Sequence, residues 1–170
     1  NKDIDNLDPL AELSELRYLD CSGTNVRNIN PIRNLNKIKE LNISDTYITD
    51  ISSLKYANVV QNLKADNIKI DDISVVGFFK DITTLSVSDT DVSDISSLAK
   101  CPNLSTLNLS GTNINDISHL KELLKLYDIN LSNTLVFDIT PLQALVNLHF
   151  LNIENTQVSD ISSLVSLEKL

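Results

Sequence analysis

Aspartate recurs every 22 residues through most of the chain, and carboxylates at such regular spacing are the first candidates for chemistry. The set comprises Asp50, Asp72, Asp94, Asp116, Asp138 and Asp160, with Asn6 and Asn28 at the two preceding positions. A calcium ladder is one interpretation, because calcium takes several oxygen ligands. Each aspartate also stands two residues before a serine or threonine, where an Asp or Asn side chain caps free backbone N–H groups. Capping is favoured, because the two asparagines would bring no charge to a cation.

The two histidines are not expected to form a catalytic or metal site. His119 follows Ser118 in one part of the period, whereas His149 belongs to another part, so they are expected on different sides of the fold and cannot share a metal. Only three glycines are present, with no phosphate-binding loop, and no Ser or Cys is paired with a histidine. We therefore predict no enzyme, no cofactor and no metal centre.

Cys21 and Cys101 also occupy different parts of the period. They lie nearly four repeats apart, which corresponds to roughly 17 Å along a stack of strands, beyond the roughly 7 Å limit on Cα separation in a disulfide. Both are expected to be buried thiols that act as small apolar residues.

These positions are set by an uninterrupted 22-residue period. One column of apolar residues contains Leu19, Leu41, Leu63, Leu85, Leu107, Ile129 and Leu151, and a second column follows two residues later. The alternation predicts one short strand per repeat, centred on these residues. A single repeat cannot bury its own apolar face, so neighbours must stack and share a core.

The predicted fold is an α/β solenoid of leucine-rich repeats. It would be a right-handed superhelix with parallel strands on the concave face and short 3₁₀ or irregular turns on the convex face. The segment from Asp50 to Leu54 is too short between core positions for an α-helix and suits one 3₁₀ turn.

A family resemblance rests on the run from Leu41 to Leu54, which is echoed at 107–120 and 151–164. These repeats resemble those of bacterial internalins, over the whole chain. Where that family usually has asparagine, this chain has Thr24, Thr46, Thr90, Thr112, Thr134 and Thr156, with Ile68 as the exception. The resemblance implies a similar ladder between repeats, made here with threonine hydroxyls. Cytosolic regulators of eukaryotic protein phosphatases share the period, which leaves a second interpretation open.

Length and charge limit the remaining possibilities. We expect one domain over residues 1–170 with seven to eight repeats, and a fragment that lacks caps, since the repeat pattern is undiminished at both ends and there is no methionine. The net charge of −9 at pH 7 argues against nucleic acid as a partner. No apolar window of membrane-spanning length occurs, so this segment is not expected to insert into a membrane.

The predicted concave face is mostly polar. Its central column contains Asp20, Asn42, Lys64, Ser86, Asn108, Asn130 and Asn152, flanked by Ser22, Ser44, Asp66, Ser88, Ser110, Ser132 and Glu154. Interfaces are usually anchored by aromatic residues or arginine, and here the aromatic exceptions are Tyr127, His149 and Phe150, with Tyr18 alone at the other end. The candidate protein-binding residues are therefore Tyr127, His149, Phe150, Tyr18, Asn108, Asn130, Asn152 and Glu154. The alternative is that an adjoining repeat or cap covers the aromatic group.

The third repeat deviates on the convex side. Ala57 and Ala65 replace larger core residues, and Tyr56, Val59 and Phe78 stand where other repeats have mostly polar ones. These three could form an exposed apolar patch. The favoured interpretation is that the aromatic rings fold down to fill the space beside the alanines.

Three functions remain open. The favoured one is a module that binds a protein ligand through its concave face, within a larger bacterial surface or secreted protein. The alternatives are a cytosolic scaffold like the phosphatase regulators, and a passive spacer between other domains. An extracellular or cell-surface location follows from the first hypothesis, and a cytoplasmic one from the second.

Overall fold

The computed structural model describes residues 3–170 and contains one parallel sheet in this range. Its seven three-residue strands are β1 Tyr18–Asp20, β2 Glu40–Asn42, β3 Asn62–Lys64, β4 Thr84–Ser86, β5 Thr106–Asn108, β6 Asp128–Asn130 and β7 Phe150–Asn152. The strands lie in chain order, and each residue pairs with the residue one repeat later, as Leu19 does with Leu41. The predicted strand centres and parallel solenoid are confirmed.

Short 3₁₀ helices form the opposite side of each repeat. They are η1 Asp8–Leu10, η2 Asn30–Ile32, η3 Ser52–Tyr56, η4 Ser74–Phe78, η5 Ser96–Lys100, η6 Ser118–Leu120, η7 Thr140–Leu142 and η8 Ser162–Leu164. Short 3₁₀ turns were expected from the limited chain length between core positions. Within residues 3–170, no helix has the length and apolar character needed to cross a bilayer.

Helices η3, η4 and η5 differ from the other five. Each has five residues, whereas the others have three. The residue after each long helix leaves the helical region, as at Ala57 with φ −90° and ψ 50°, whereas Arg33 after η2 remains helical with φ −55° and ψ −28°. The convex backbone of the three middle repeats is therefore distinct.

The core is a continuous column of aliphatic side chains between the strands and the 3₁₀ helices. Leu63, Leu85 and Leu107 are fully buried, whereas Leu19 and Leu151 in the first and last strands are only partly buried. Burial is deepest in the middle because each inner repeat packs against a neighbour on both sides.

The third repeat corrects one expectation. Tyr56 and Phe78 do not fold into the core; each side chain is 57% exposed. The residue equivalent to Ala57 in the next repeat is Phe79, which is completely buried. We attribute the exposure of Tyr56 to the Phe79 ring, because its volume compensates for the small alanine in the neighbouring repeat and leaves no space for Tyr56.

The threonine column also behaves differently from the expected ladder. Each hydroxyl donates to the carbonyl three residues earlier in its own repeat, as in Thr24 to Cys21 O and Thr112 to Leu109 O, both at 2.6 Å. These hydroxyl bonds therefore stay within one repeat. Backbone groups make the connection between repeats there, as in Gly23 N to Ser44 O at 3.0 Å.

Candidate protein-binding surface

The aspartate column caps the 3₁₀ helices, as predicted. The Asp50 carboxylate accepts the Ser52 backbone N–H at 2.8 Å, and the Asp94 carboxylate accepts that of Ser96 at 2.7 Å. The same contact is made by Asp72, Asp116, Asp138 and Asp160, and by the amide oxygens of Asn6 and Asn28. Since asparagine makes the same contact, the position requires an acceptor oxygen and not a charge.

These hydrogen bonds perturb the carboxyl groups. The Ser96 backbone N–H holds the pKa of Asp94 below its ordinary value, with a smaller contribution from the Ser96 hydroxyl. The Ser118 N–H and hydroxyl lower the pKa of Asp116 in the same way, and His119 adds a weaker lowering effect at both carboxylates. A lowered pKa is expected for a carboxyl group whose charged form accepts hydrogen bonds.

The two histidines are apart, as expected. His119 lies in helix η6, half-buried, and its Nδ1 is a buried atom that makes no hydrogen bond within residues 3–170. His149 precedes strand β7 and belongs to the concave side. Within the same range, no three His, Cys, Asp or Glu side chains are grouped as metal ligands would be.

Both cysteines are buried free thiols, which confirms their predicted role as core residues. The Cys21 Sγ lies 3.6 Å from the Asn42 carbonyl, and the Cys101 Sγ lies 3.6 Å from that of Val76. Burial raises the pKa of each thiol to about 11, so neither has the thiolate character of a nucleophile.

Polar side chains in the centre of the concave face bond mainly to one another and to the backbone. The Asn130 Oδ1 accepts the Ser132 backbone N–H at 3.1 Å and its hydroxyl at 2.8 Å. Asn108 accepts the same pair of donors from Ser110 and donates its amide to Ser86 Oγ at 3.1 Å. These asparagines thus serve as turn residues at the ends of their strands.

The flanking serine column is less accessible than predicted. Ser44, Ser88 and Ser132, and also Ser86 of the central column, are buried. The three-residue strand ends beside them and the chain enters a turn, so their hydroxyl and backbone groups form hydrogen bonds within the repeat or with the neighbouring repeat. Ser88, for example, donates both its hydroxyl and its backbone N–H to Asp66 Oδ1 at 2.8 Å. The sequence pattern placed these serines on the solvent side because it contains only the strand alternation.

The structure brings the three predicted aromatic residues together. The Tyr127 ring lies 4.4 Å from the His149 ring and 5.4 Å from the Phe150 ring, centroid to centroid, the second contact being edge-to-face. The Tyr127 carbonyl accepts the backbone N–H groups of both His149 and Phe150, at 2.9 and 3.1 Å. Tyr127 and Phe150 remain 42% and 56% exposed. We call these three residues the aromatic cluster.

His149 has a defined orientation within the aromatic cluster. Its Nδ1 lies 2.8 Å from the carbonyl of Asn147. Because a carbonyl can only accept, this contact places a hydrogen on Nδ1. In the neutral ring Nε2 is then an acceptor for a hydroxyl or amide donor.

The remaining predicted residues do not join the aromatic cluster. Tyr18 is 58% exposed and occupies the column of Phe150, but six strands away, at roughly 29 Å. Its hydroxyl donates to Asp20 at 3.3 Å, and the charge of Asp20 raises the pKa of the phenol. Asn152 caps the backbone N–H of Glu154 at 2.9 Å, while the Glu154 side chain is exposed next to the sheet edge.

One structural feature of the turns was not anticipated from the sequence. The residue after each flanking position has a positive φ throughout, including Asp45, Asn67, Asp89 and Asn133. Asn67 donates to Asp45 Oδ1 at 2.7 Å across the repeat boundary. The recurrence of Gly, Asp and Asn in this one column, the residues that tolerate this conformation, was the available signal.

Comparisons with known proteins agree with this architecture. The family described as "Leucine Rich repeats (2 copies)" matches residues 14–56 and 80–122, which together make up half of the chain. No curated protein sequence matches the chain.

Solved structures of two internalins from Listeria monocytogenes superimpose closely. Internalin F is 28% identical with a TM-score of 0.95, over 98% of this chain and 50% of its own. Internalin C2 is 26% identical with a TM-score of 0.96, over 100% of this chain and 75% of its own. A leucine-rich repeat protein from Leptospira interrogans, 20% identical over 98% of this chain and 44% of its own, shares the fold with a TM-score of 0.90.

This chain therefore spans about half the length of internalin F and three quarters of internalin C2. Its fold is typical of protein–protein interaction modules, which are generally scaffolds and not catalysts. The matched repeats, the unbroken parallel sheet and the fit to both internalins lead to one assignment: the chain belongs to the leucine-rich repeat family, in its internalin-like form.

Proposed function

We propose that this module binds a protein ligand through its concave face, with the aromatic cluster as the main anchor, and that it has no catalytic role. The observation that carries the proposal is the contact among Tyr127, His149 and Phe150, three rings that remain accessible on an otherwise polar surface. Aromatic residues of this kind supply large contact area at a low cost in conformational entropy.

The polar centre supports the same conclusion by contrast. A ligand that approaches Asn108 or Asn130 must compete with the Ser110 and Ser132 donors already bound to their amide oxygens. Exchanging such bonds nets about 1 kcal/mol or less per residue, whereas a desolvated aromatic anchor is worth about 2 kcal/mol or more. Asn108, Asn130, Asn152 and Glu154 would then contribute to complementarity and less to affinity.

We further propose that the module is part of a larger bacterial surface or secreted protein. The support is its likeness to two Listeria internalins over nearly the whole chain. Protease treatment of intact cells, followed by mass spectrometry, tests this location. Release of peptides from this module supports it, and protection until the cells are lysed favours the cytosolic scaffold.

The binding proposal is tested with a ligand captured by the intact parent protein and then purified. The variant Tyr127→Ala/His149→Ala/Phe150→Ala is expected to weaken its binding by about 30-fold or more, the equivalent of about 2 kcal/mol. Tyr18→Ala is the matched control, because it removes an equally exposed ring from the column of Phe150 at the other end of the sheet. Because Tyr18 lies six strands from the aromatic cluster, this change should weaken binding far less than the triple variant does.

Two outcomes would overturn the proposal. Unchanged binding by the triple variant, with loss on substitution of Asn108, Asn130 and Asn152, would indicate hydrogen-bond recognition along the central column. Indifference to both sets would favour the passive spacer. The melting temperature of each variant is measured alongside, because the asparagines also support their turns.

A further inference from the structure

The convex side carries a second unusual surface, on the three middle repeats. Tyr56, Phe78 and Lys100 are the last residues of helices η3, η4 and η5, the three longer helices. They occupy the same position in successive repeats, and η3 packs beside η4 and η4 beside η5. Other repeats place Glu12, Asn34, Glu122, Ala144 or Ser166 there. The two rings therefore form a row that ends in a lysine.

The fold does not require these rings. Both are 57% exposed, while the buried position next to each is filled by Ala57 or Phe79. An exposed aromatic residue is ordinary when isolated. Here two rings stand at the same position of adjoining repeats, and the half-buried Val59 follows Tyr56 by three residues. Apolar side chains grouped on a surface in this way mark interaction sites.

Three lysines lie in the same convex segments as the rings. The Lys55 Nζ lies 5.0 Å from the centre of the Tyr56 ring, and Lys80 follows Phe79 directly in the chain. The Lys100 side chain crosses Gly77, where its Cδ would lie 3.3 Å from an added Cβ, so its aliphatic part runs towards the helix of Phe78. In residues 3–170 the only salt bridge joins Lys37 to Glu15, so these three ammonium groups have no carboxylate partner.

The convex segments themselves carry more basic than acidic residues, in contrast to the whole chain, although Asp50, Asp72 and Asp94 lie just before them. Residues 52–60, 74–82 and 96–104 contain three lysines and one acidic residue, Asp81, although the chain has 23 acidic and 14 basic residues. We propose that Tyr56, Phe78, Lys55, Lys80 and Lys100 form a second docking surface, for an acidic protein segment whose apolar side chains pack on the two rings. We call it the convex patch.

An anionic membrane suits the convex patch less well than an acidic protein segment does. The chain's net charge of −9 repels such a surface, and three lysines offset little of it. A flexible acidic segment needs only local complementarity, with carboxylates to pair the lysines and apolar residues between them.

The test uses random peptides displayed on phage, selected on the intact module and counter-selected on Tyr56→Ser/Phe78→Ser. Peptides that pass are expected to combine Asp or Glu with aromatic or aliphatic residues. A synthetic copy of the best one should lose about tenfold or more in affinity with Phe78→Ser and with Lys100→Glu. Lys169→Glu makes the same charge change away from the convex patch. Apart from the small, salt-dependent effect of a changed net charge, it should leave the affinity for the peptide unchanged.

The result is separable from the concave proposal. The variant Tyr127→Ala/Phe150→Ala should bind the selected peptide normally. Its binding to the captured ligand tests the concave face alone, and that result does not depend on the peptide experiment. The convex patch is overturned if no peptide depends on Tyr56 and Phe78, or if the dependent peptides have no excess of acidic residues. It is also overturned if vesicles of phosphatidylcholine and phosphatidylglycerol bind the module through Phe78 while peptides do not.

Discussion

In the centre of the concave face, Asn108 and Asn130 accept hydrogen bonds from the serines two residues later. At the start of strands β6 and β7, by contrast, Tyr127, His149 and Phe150 contact one another and leave ring surface free. Both regions have the same strand register and the same backbone hydrogen bonds. The difference shows that exposure on a sheet does not make a residue available for binding. A polar side chain whose hydrogen bonds are already made supports the fold, and an exposed ring can still gain from burial.

The largest effect is expected in the core that supports both regions. Leu107→Ala should lower the free energy of unfolding by about 2–5 kcal/mol, because a fully buried side chain leaves a cavity. Leu151→Ala, the equivalent change below the aromatic cluster, should cost less, because Leu151 is only partly buried. Urea denaturation of both variants measures the difference, with Ser110→Ala as a near-neutral control. Equal losses for Leu107 and Ser110 would contradict the assigned faces.

The turns after strands β1 and β5 provide a matched pair of glycines, Gly23 and Gly111. Gly111 has φ +66°, and an added Cβ would lie 2.2 Å from Asp89 Oδ1, whereas Gly23 has φ +65° with open space around it. Gly23→Ala is expected to cost roughly 1–2 kcal/mol from backbone strain alone, and Gly111→Ala more, because Asp89 must also move. Thermal unfolding of the two variants tests this order. A larger loss at Gly23 would show that the Asp89 contact does not matter.

The polar centre is tested at Asn130. Asn130→Ala should cost about 1 kcal/mol, because the Ser132 backbone N–H loses its acceptor. Asn130→Asp retains that oxygen and should cost less. Chemical denaturation distinguishes the two variants. If both are neutral, the asparagines do not support the turns, and the contrast with the aromatic cluster is lost.

The aspartate caps lie outside both regions, and Asp94→Ala should cost about 1 kcal/mol through the lost cap. Because the folded pKa of Asp94 is lowered by the Ser96 donors, its charged form stabilises the fold above the unfolded pKa, and that contribution disappears as pH falls through the lower folded pKa. Asp94→Asn retains the cap without the titration. Melting curves between neutral pH and about pH 3 should therefore show less acid destabilisation for Asp94→Asn.

Calcium provides an independent check on the same residue. With the Asp94 carboxylate engaged by the Ser96 N–H, the melting temperature is expected to be the same with added calcium and with chelator. A large calcium-dependent rise would restore the cation interpretation of the column.

Several site residues were predictable because periodicity carries positional information. Leu19 pairs with Leu41, and Ile129 with Leu151, as the spacing of their column alone predicts, and Tyr127 and His149 share a column in the same way. The aspartate caps were predictable for a related reason: the contact spans only two residues, so it is local in sequence. Ring distances within the aromatic cluster were not predictable, because they depend on side-chain orientation.

The sequence by itself determined the repeat, the parallel strands, the buried cysteines and the capping column, since each follows from spacing or from contacts within one repeat. Only the tertiary structure decided which exposed positions are accessible. It buried Ser44, Ser88 and Ser132, kept Tyr56 and Phe78 outside the core, and confined the threonine bonds to their own repeats. The physical reason is that these outcomes depend on the volume and hydrogen-bonding groups of the adjoining repeat. A one-dimensional pattern contains the order of those neighbours, but not the space between them.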